Sequence, residues 1–128
     1  MTKSILIIDD SRTTRGMIKR CLKMSGLVFE EVHEAENGRD GLEQLRDHTI
    51  DLVFTDLNMP EMTGFEFIDQ LASEGTLPGM PLIVISTEGS VQRRQELQDK
   101  GIRRFIEKPF SPDQIREAVE DVLKGLEQ

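Results

Sequence analysis

Three aspartates, a serine and a lysine are the residues of this chain best able to do chemistry together. Asp9 and Asp10 follow the apolar run Ile5-Leu6-Ile7-Ile8. Asp56 follows Asp51-Leu-Val-Phe-Thr55, Ser86-Thr87 closes the run beginning at Leu82, and Lys108-Pro109 follows residues 103–107. Any one of these read alone is a solvated loop residue or a helix cap. Together they put three carboxylates, a hydroxyl and an ammonium at the ends of four apolar runs. Clustered carboxylates repel one another and call for a cation. With oxygen ligands and no histidine or thiolate beside them, the set suits a hard ion, Mg²⁺. An aspartate beside that ion can act as a nucleophile toward phosphorus and form an acyl phosphate. The metal and a lysine would offset charge on the transferring oxygens, which is most of what phosphoryl transfer asks of a protein.

The elements that must position these residues are legible in the pattern. Residues 4–8, 51–55 and 82–86 are short and nearly continuously apolar, as parallel strands buried on both faces are. Residues 29–34 and 103–107 mix charge with Phe29, Val32, Phe105 and Ile106 and belong nearer the sheet edges. Helices are expected near 12–25, 38–47, 64–73, 90–100 and 112–126. In the last, Ile115, Ala118, Val119, Val122, Leu123 and Leu126 form one apolar stripe. Ser111 caps it, Pro112 suits its first position and Gln114 completes a capping box. Asn37-Gly38 could be a hairpin turn, but the spacing of Leu42 and Leu45 favours a helix start capped by Asn37. The 90–100 helix is weak, with only Val91 and Leu97 clearly apolar. Five strands alternating with five helices imply an α/β fold, a doubly wound five-stranded parallel sheet with right-handed crossovers. Ligands of such sheets bind beyond the carboxyl ends of the strands, where the five residues above fall.

Composition narrows the function classes. At 128 residues the chain suits one domain over 1–128, with no repeat or linker. A net charge of −8 argues against nucleic acid as the main partner. The longest aliphatic runs fall far short of the ~20 residues of a membrane span and of a signal-peptide core, so neither membrane insertion nor secretion is expected. Cys21 is the only cysteine. It fits helix-face packing beside Met17, Ile18 and Leu22, and a cytoplasmic setting. Arg12, Arg15, Lys19 and Lys23 follow helical steps and read as a solvated face. Gly16 within that helix costs about 1 kcal/mol relative to alanine, for which close packing is the one available account.

Asp56-Leu57-Asn58-Met59-Pro60-Glu61-Met62-Thr63-Gly64, with Asp9-Asp10 before it and Lys108-Pro109-Phe110 after it, resembles a response-regulator receiver domain of the CheY kind. The likeness covers essentially the whole chain. It implies a flavodoxin-like strand order of 2-1-3-4-5. It implies that Asp56 is the phosphoacceptor, and that Asp9, Asp10, Asp56 and the backbone carbonyl of Asn58 hold Mg²⁺, Asp10 being the direct ligand beside Asp56. Lys108 would contact the phosphoryl oxygens and Ser86 would hydrogen-bond one of them. Phe105, otherwise plain core, would turn inward when Ser86 moves. Met59-Pro60 and Gly64 would shape the loop, and a cis Lys108-Pro109 bond would aim the lysine. Thr87 is bulkier than the family's usual small residue and would crowd the phosphoryl group.

The resemblance further implies a stand-alone response regulator of a two-component, chemotaxis-type phosphorelay, without an output domain. It is not an enzyme in the usual sense, although it assists its own phosphorylation and dephosphorylation. A histidine kinase or histidine phosphotransfer protein would be the donor. A downstream protein would read the mark on the face made by the fourth helix, fifth strand and fifth helix. The chain would be a monomer or a weak phosphorylation-dependent dimer. Two rivals fit less well. A magnesium phosphatase of the haloacid dehalogenase kind wants Asp-x-Asp after the first strand and a cap, whereas Asp9 and Asp10 are adjacent and the chain is short. A flavin carrier would meet an acidic rim, with no tryptophan or tyrosine to stack on the cofactor.

Overall fold

The computed structural model describes residues 3–77, 79–87 and 90–126, the side chains of Lys3, Gly125 and Leu126 excepted. Five strands alternate with five helices: β1 (Lys3–Ile8), α1 (Arg12–Met24), β2 (Phe29–Ala35), α2 (Gly38–Asp47), β3 (Leu52–Thr55), α3 (Gly64–Ser73), β4 (Leu82–Ser86), α4 (Val91–Asp99), β5 (Arg104–Glu107) and α5 (Pro112–Leu126). The strands form one parallel sheet in the order β2-β1-β3-β4-β5. The expected elements are all present, and the two charge-bearing strands are the edges.

Strand alternation sorts the apolar residues into two layers. Ile5, Ile7, Leu52, Phe54, Ile83 and Ile85 face α1 and α5, where Ile18, Cys21, Leu22, Ile115, Ala118 and Val119 meet them. Leu6, Ile8, Val53 and Val84 face the other way, onto Leu42 of α2, Phe67, Ile68 and Leu71 of α3, and Leu97 of α4. Strands buried on both faces must be apolar throughout, which is why β1, β3 and β4 read as continuous runs. Cys21 is buried in the first layer, and burial pushes its thiol pKa up.

The helix starts follow from local capping. Asn37 accepts a hydrogen bond from the N–H of Asp40 at 2.9 Å, so Asn37-Gly38 opens a helix and not a hairpin. Ser111 and Gln114 form the expected reciprocal pair, with the Ser111 N–H donating to Gln114 Oε1 at 2.8 Å. Thr63 and Glu66 form a second capping box at the start of α3. α4 is held to the core by a single buried residue, Leu97, and its Val91 is 82% exposed.

Gly16 corrects one expectation. A Cβ built there meets nothing within 4 Å, and its φ is not positive, so close packing does not explain it. Gly16→Ala is therefore expected to stabilise the fold by about 1 kcal/mol, through helix propensity and a less disordered unfolded chain. Urea denaturation of the two proteins measures this; an unchanged or lower midpoint would contradict the reading.

Candidate functional site

The register of the sheet brings the acids together. Ile8 of β1 pairs with Thr55 of β3, so Asp9 and Asp56 leave neighbouring strands side by side. Both side chains are buried, while Asp10 is exposed at the mouth. One carboxylate oxygen from each of the three lies within 4.8 Å of the others, a spacing that a single hard cation can bridge. Lys108, just beyond β5, reaches back across β4. Its Nζ donates to Asp56 Oδ2 at 2.8 Å and to Asp9 Oδ2 at 3.0 Å. The other oxygens are held by backbone: the Leu57 N–H donates to Asp56 Oδ1 at 2.7 Å, and the Ser11 N–H to Asp9 Oδ1 at 2.9 Å. Ser86 ends β4 and is buried, and its carbonyl accepts the Lys108 backbone N–H at 3.0 Å. The Lys108-Pro109 bond is cis. Asn58 and Thr87 are exposed, and Phe105 is half-buried.

These contacts set the electrostatics. Burial pushes the Asp9 carboxyl above its ordinary value, against the hydrogen bonds from the Ser11 N–H and Lys108 that favour the charged form. Burial disfavours the Lys108 ammonium, but its hydrogen bonds to Asp56 and Asp9 and their charges outweigh that and raise its pKa. The lysine thus stays charged and neutralises part of the acidic cluster.

One determinant of the site escaped the sequence reading. Arg15 is not part of a solvated stripe: it is buried, and its guanidinium donates to the Asp9 carbonyl at 2.6 Å and to Glu34 at 2.9 Å. Lys19 joins the same Glu34 at 3.0 Å. Burial opposes the Glu34 carboxylate, but Lys19 and Arg15 together hold its pKa below the usual value. The spacing of Arg15 from Ile18 and Leu22 carries the signal, because it puts the arginine on the buried stripe of α1. Gly64, expected to shape the loop, starts α3. A Cβ there would sit 2.1 Å from the Asp56 carbonyl oxygen and 2.7 Å from Leu57 Cα, so only glycine lets α3 start against the loop that carries Asp56.

A doubly wound parallel sheet with an acidic triad and a lysine at its carboxyl rim is the architecture of a CheY-like receiver. Residues 5–120 match the model of the response regulator receiver domain. The chain is 36% identical over 120 residues to a chemotaxis protein CheY homolog of Campylobacter jejuni, covering 93% of this chain and 91% of that one. It is 38% identical over 121 residues to the chemotaxis protein CheY1 of Helicobacter pylori, covering 93% and 95%. The structure of the chemotaxis protein CheY4 of Vibrio cholerae superimposes with a TM-score of 0.82 at 30% identity, over 95% of this chain and 99% of that one. The chain belongs to the response regulator receiver domain family, whose members are signalling domains of two-component systems.

Removing the lysine leaves two buried carboxylates facing each other. Lys108→Ala is expected to cost about 2–3 kcal/mol at neutral pH, the order of a lost charged hydrogen bond plus an unpaired charge. Asp9 has a folded pKa above its unfolded one, so its burial counts against stability above that value and less as the proton binds. The gap between wild type and variant should therefore narrow as pH falls through the raised Asp9 pKa toward 3.8. Urea melts of both proteins at neutral and acid pH test this, and a gap that widens on acidification would refute it.

Proposed function

We propose that the chain is a chemotaxis-type response regulator that accepts a phosphoryl group on Asp56 from a phosphohistidine donor and signals through phosphorylation-dependent protein binding. The observation that carries this reading is the setting of Asp56. It is a buried carboxylate at the sheet's carboxyl rim, oriented by the Leu57 N–H and Lys108 and flanked by Asp9 and Asp10. The residues fit a hard divalent ion, and Asp9, Asp10, Asp56 and the Asn58 carbonyl would hold Mg²⁺, which supplies neutralising charge to the phosphoryl oxygens. An Asp56 carboxylate oxygen forms the new P–O bond as the donor's P–N bond breaks, and the imidazole leaves with that electron pair. Lys108 exchanges its bond to the Asp56 carboxylate for one to a phosphoryl oxygen, and Ser86 hydrogen-bonds another. The relatives' chemotaxis names support this setting, and in this reading the donor is a histidine kinase or phosphotransfer protein and the location is cytoplasmic. Among the described residues no helix is long and apolar enough to cross a membrane. In this reading residues 1–128 act as one receiver unit, monomeric or weakly dimeric when phosphorylated.

The readout is placed on α4, β5 and α5 for physical reasons. α4 has one buried anchor, so its local stability is low and its position easily biased. The Arg94 guanidinium lies 5.7 Å from the centre of the Phe105 ring and pairs with Glu107 at 3.0 Å, holding α4 over β5 by contacts at the surface. Beneath them a small cavity is lined by Leu57, Val84, Ser86, Arg94, Leu97 and Phe105. Ser86 moving toward a phosphoryl oxygen would vacate space there for the Phe105 ring, turning one hydrogen bond into a change of surface shape. A ligand shifts such an equilibrium only by favouring one state, and the phosphoryl group does so through Ser86 and Lys108.

Incubation with acetyl phosphate and Mg²⁺ should add one base-labile phosphate, lost in Asp56→Asn and on chelation of the metal. Undiminished labelling of the variant would sink the assignment. Amide hydrogen exchange with beryllofluoride, which stands in for the phosphoryl group, should alter protection in 90–106 and at the start of α5, and leave α2 nearly unchanged. Changes concentrated in α1 and α2 instead would move the output face elsewhere.

A further inference from the structure

The chain has two histidines, fifteen positions apart, and the fold brings them together away from the acidic triad. His33 lies in β2, and His48 is the residue that ends α2. Their rings stack with centroids 4.1 Å apart and planes 27° from parallel. Glu31 lies two residues before His33, so strand alternation puts both on the face toward α2, and Glu31 Oε2 is 2.8 Å from His33 Nε2. One ligand atom of each of the three lies within 4.8 Å of the others. β3 begins four residues after His48 and ends one residue before Asp56, so its length, roughly 13 Å, separates the two rims. The histidines therefore belong to no part of the site described above.

We propose that Glu31, His33 and His48 form a second metal site, selective for a borderline divalent transition ion of the zinc class. Two imidazoles and one carboxylate are a donor set that suits such an ion and not the hard Mg²⁺ expected at the aspartates. The donor atoms lie within reach of one ion, but imidazole lone pairs lie in the ring plane, so the His48 ring must turn out of its stack on His33 to face it. Ligand atoms about 2.0–2.2 Å from a tetrahedral ion stand about 3.3 Å apart, so the Glu31–His33 pair opens by only a few tenths of an ångström. His48 is exposed and Glu31 is mostly exposed, so both can adjust without disturbing the core, while His33 is held by the strand. Assembly asks for a turn of one exposed side chain, because three donors from two elements already lie close together. The net charge of −8 favours a cation over the whole surface, but the imidazoles decide where this one goes. Three protein ligands leave a fourth position for water or for a side chain of a partner. Bound metal would tie the carboxyl end of α2 to the edge strand β2.

The test is titration of Zn²⁺ into the full chain by calorimetry, with about 10 mM Mg²⁺ present to occupy the oxygen-rich aspartate site. One ion should bind with a Kd of about 10 µM or tighter. His33→Gln and His48→Gln should each weaken it by roughly tenfold or more, and Asp10→Asn should leave it unchanged. His48→Gln changes an exposed residue at the end of a helix and keeps the test decisive if the His33 variant folds poorly. Binding weaker than about 100 µM, a loss smaller than tenfold in His48→Gln, or a loss in Asp10→Asn overturns the site. Because Asp56 phosphorylation is read by a separate assay, its failure and the failure of this site are distinguishable.

Discussion

The ammonium of Lys108, lying between the buried carboxylates of Asp9 and Asp56, is the contact on which the functional rim depends. Two like charges about 4 Å apart repel by about 4 kcal/mol at an effective dielectric near 20, a large fraction of a small domain's stability. The lysine, together with the Leu57 and Ser11 N–H groups, lets both acids remain in place. It also links regions far apart in sequence. Its backbone N–H is bonded to Ser86, so the ends of β4 and β5 are joined at the same residue that neutralises the ends of β1 and β3. In the proposed reading, a group arriving at Asp56 displaces or shares this contact, made by a lysine whose backbone is bonded to Ser86.

Topology explains why these residues meet. The order β2-β1-β3-β4-β5 makes β1 and β3 neighbours, so acids that follow their last residues stand about one strand spacing, roughly 4.8 Å, apart. The crossover direction reverses between these strands, which opens a crevice at that end of the sheet. Gly64 lets α3 begin in contact with the Asp56 backbone, and the Arg15 guanidinium braces Asp9 from below while tying α1 to Glu34 of β2. The rim is thus rigid on its β1–β3 side. On the β4–β5 side, α4 buries Leu97 alone and is tethered by Arg94 to Glu107 and by Arg93 over the Phe65 ring. A rigid acidic pocket beside a loosely held helix is the layout on which the proposed readout rests.

What the sequence alone determined was whatever depends on periodicity and on neighbours in the chain. Continuous apolar runs identified the central strands, mixed runs the edges, and Asn37 and Ser111 the helix starts, because capping and strand alternation act over a few residues. The residues of the candidate site were legible for the same reason: Asp9, Asp56 and Lys108 directly follow strands, Ser86 ends one and Asp10 is one residue beyond Asp9, and parallel strands put their carboxyl ends on one rim. Tertiary structure alone decided the rest. Arg15 and Lys19 share one charge pattern, yet the first is buried against the Asp9 carbonyl and Glu34 while the second is 41% exposed, because the docking of α1 on β2 selects between them. Gly16 and Gly64 are both glycines at helical positions, but the first faces open space and the second lies against the Asp56 backbone. The two histidines carry no periodic signal, and only the packing of α2 beside β2 stacks their rings. Long-range contacts depend on how elements dock, and one-dimensional spacing encodes the elements without their docking.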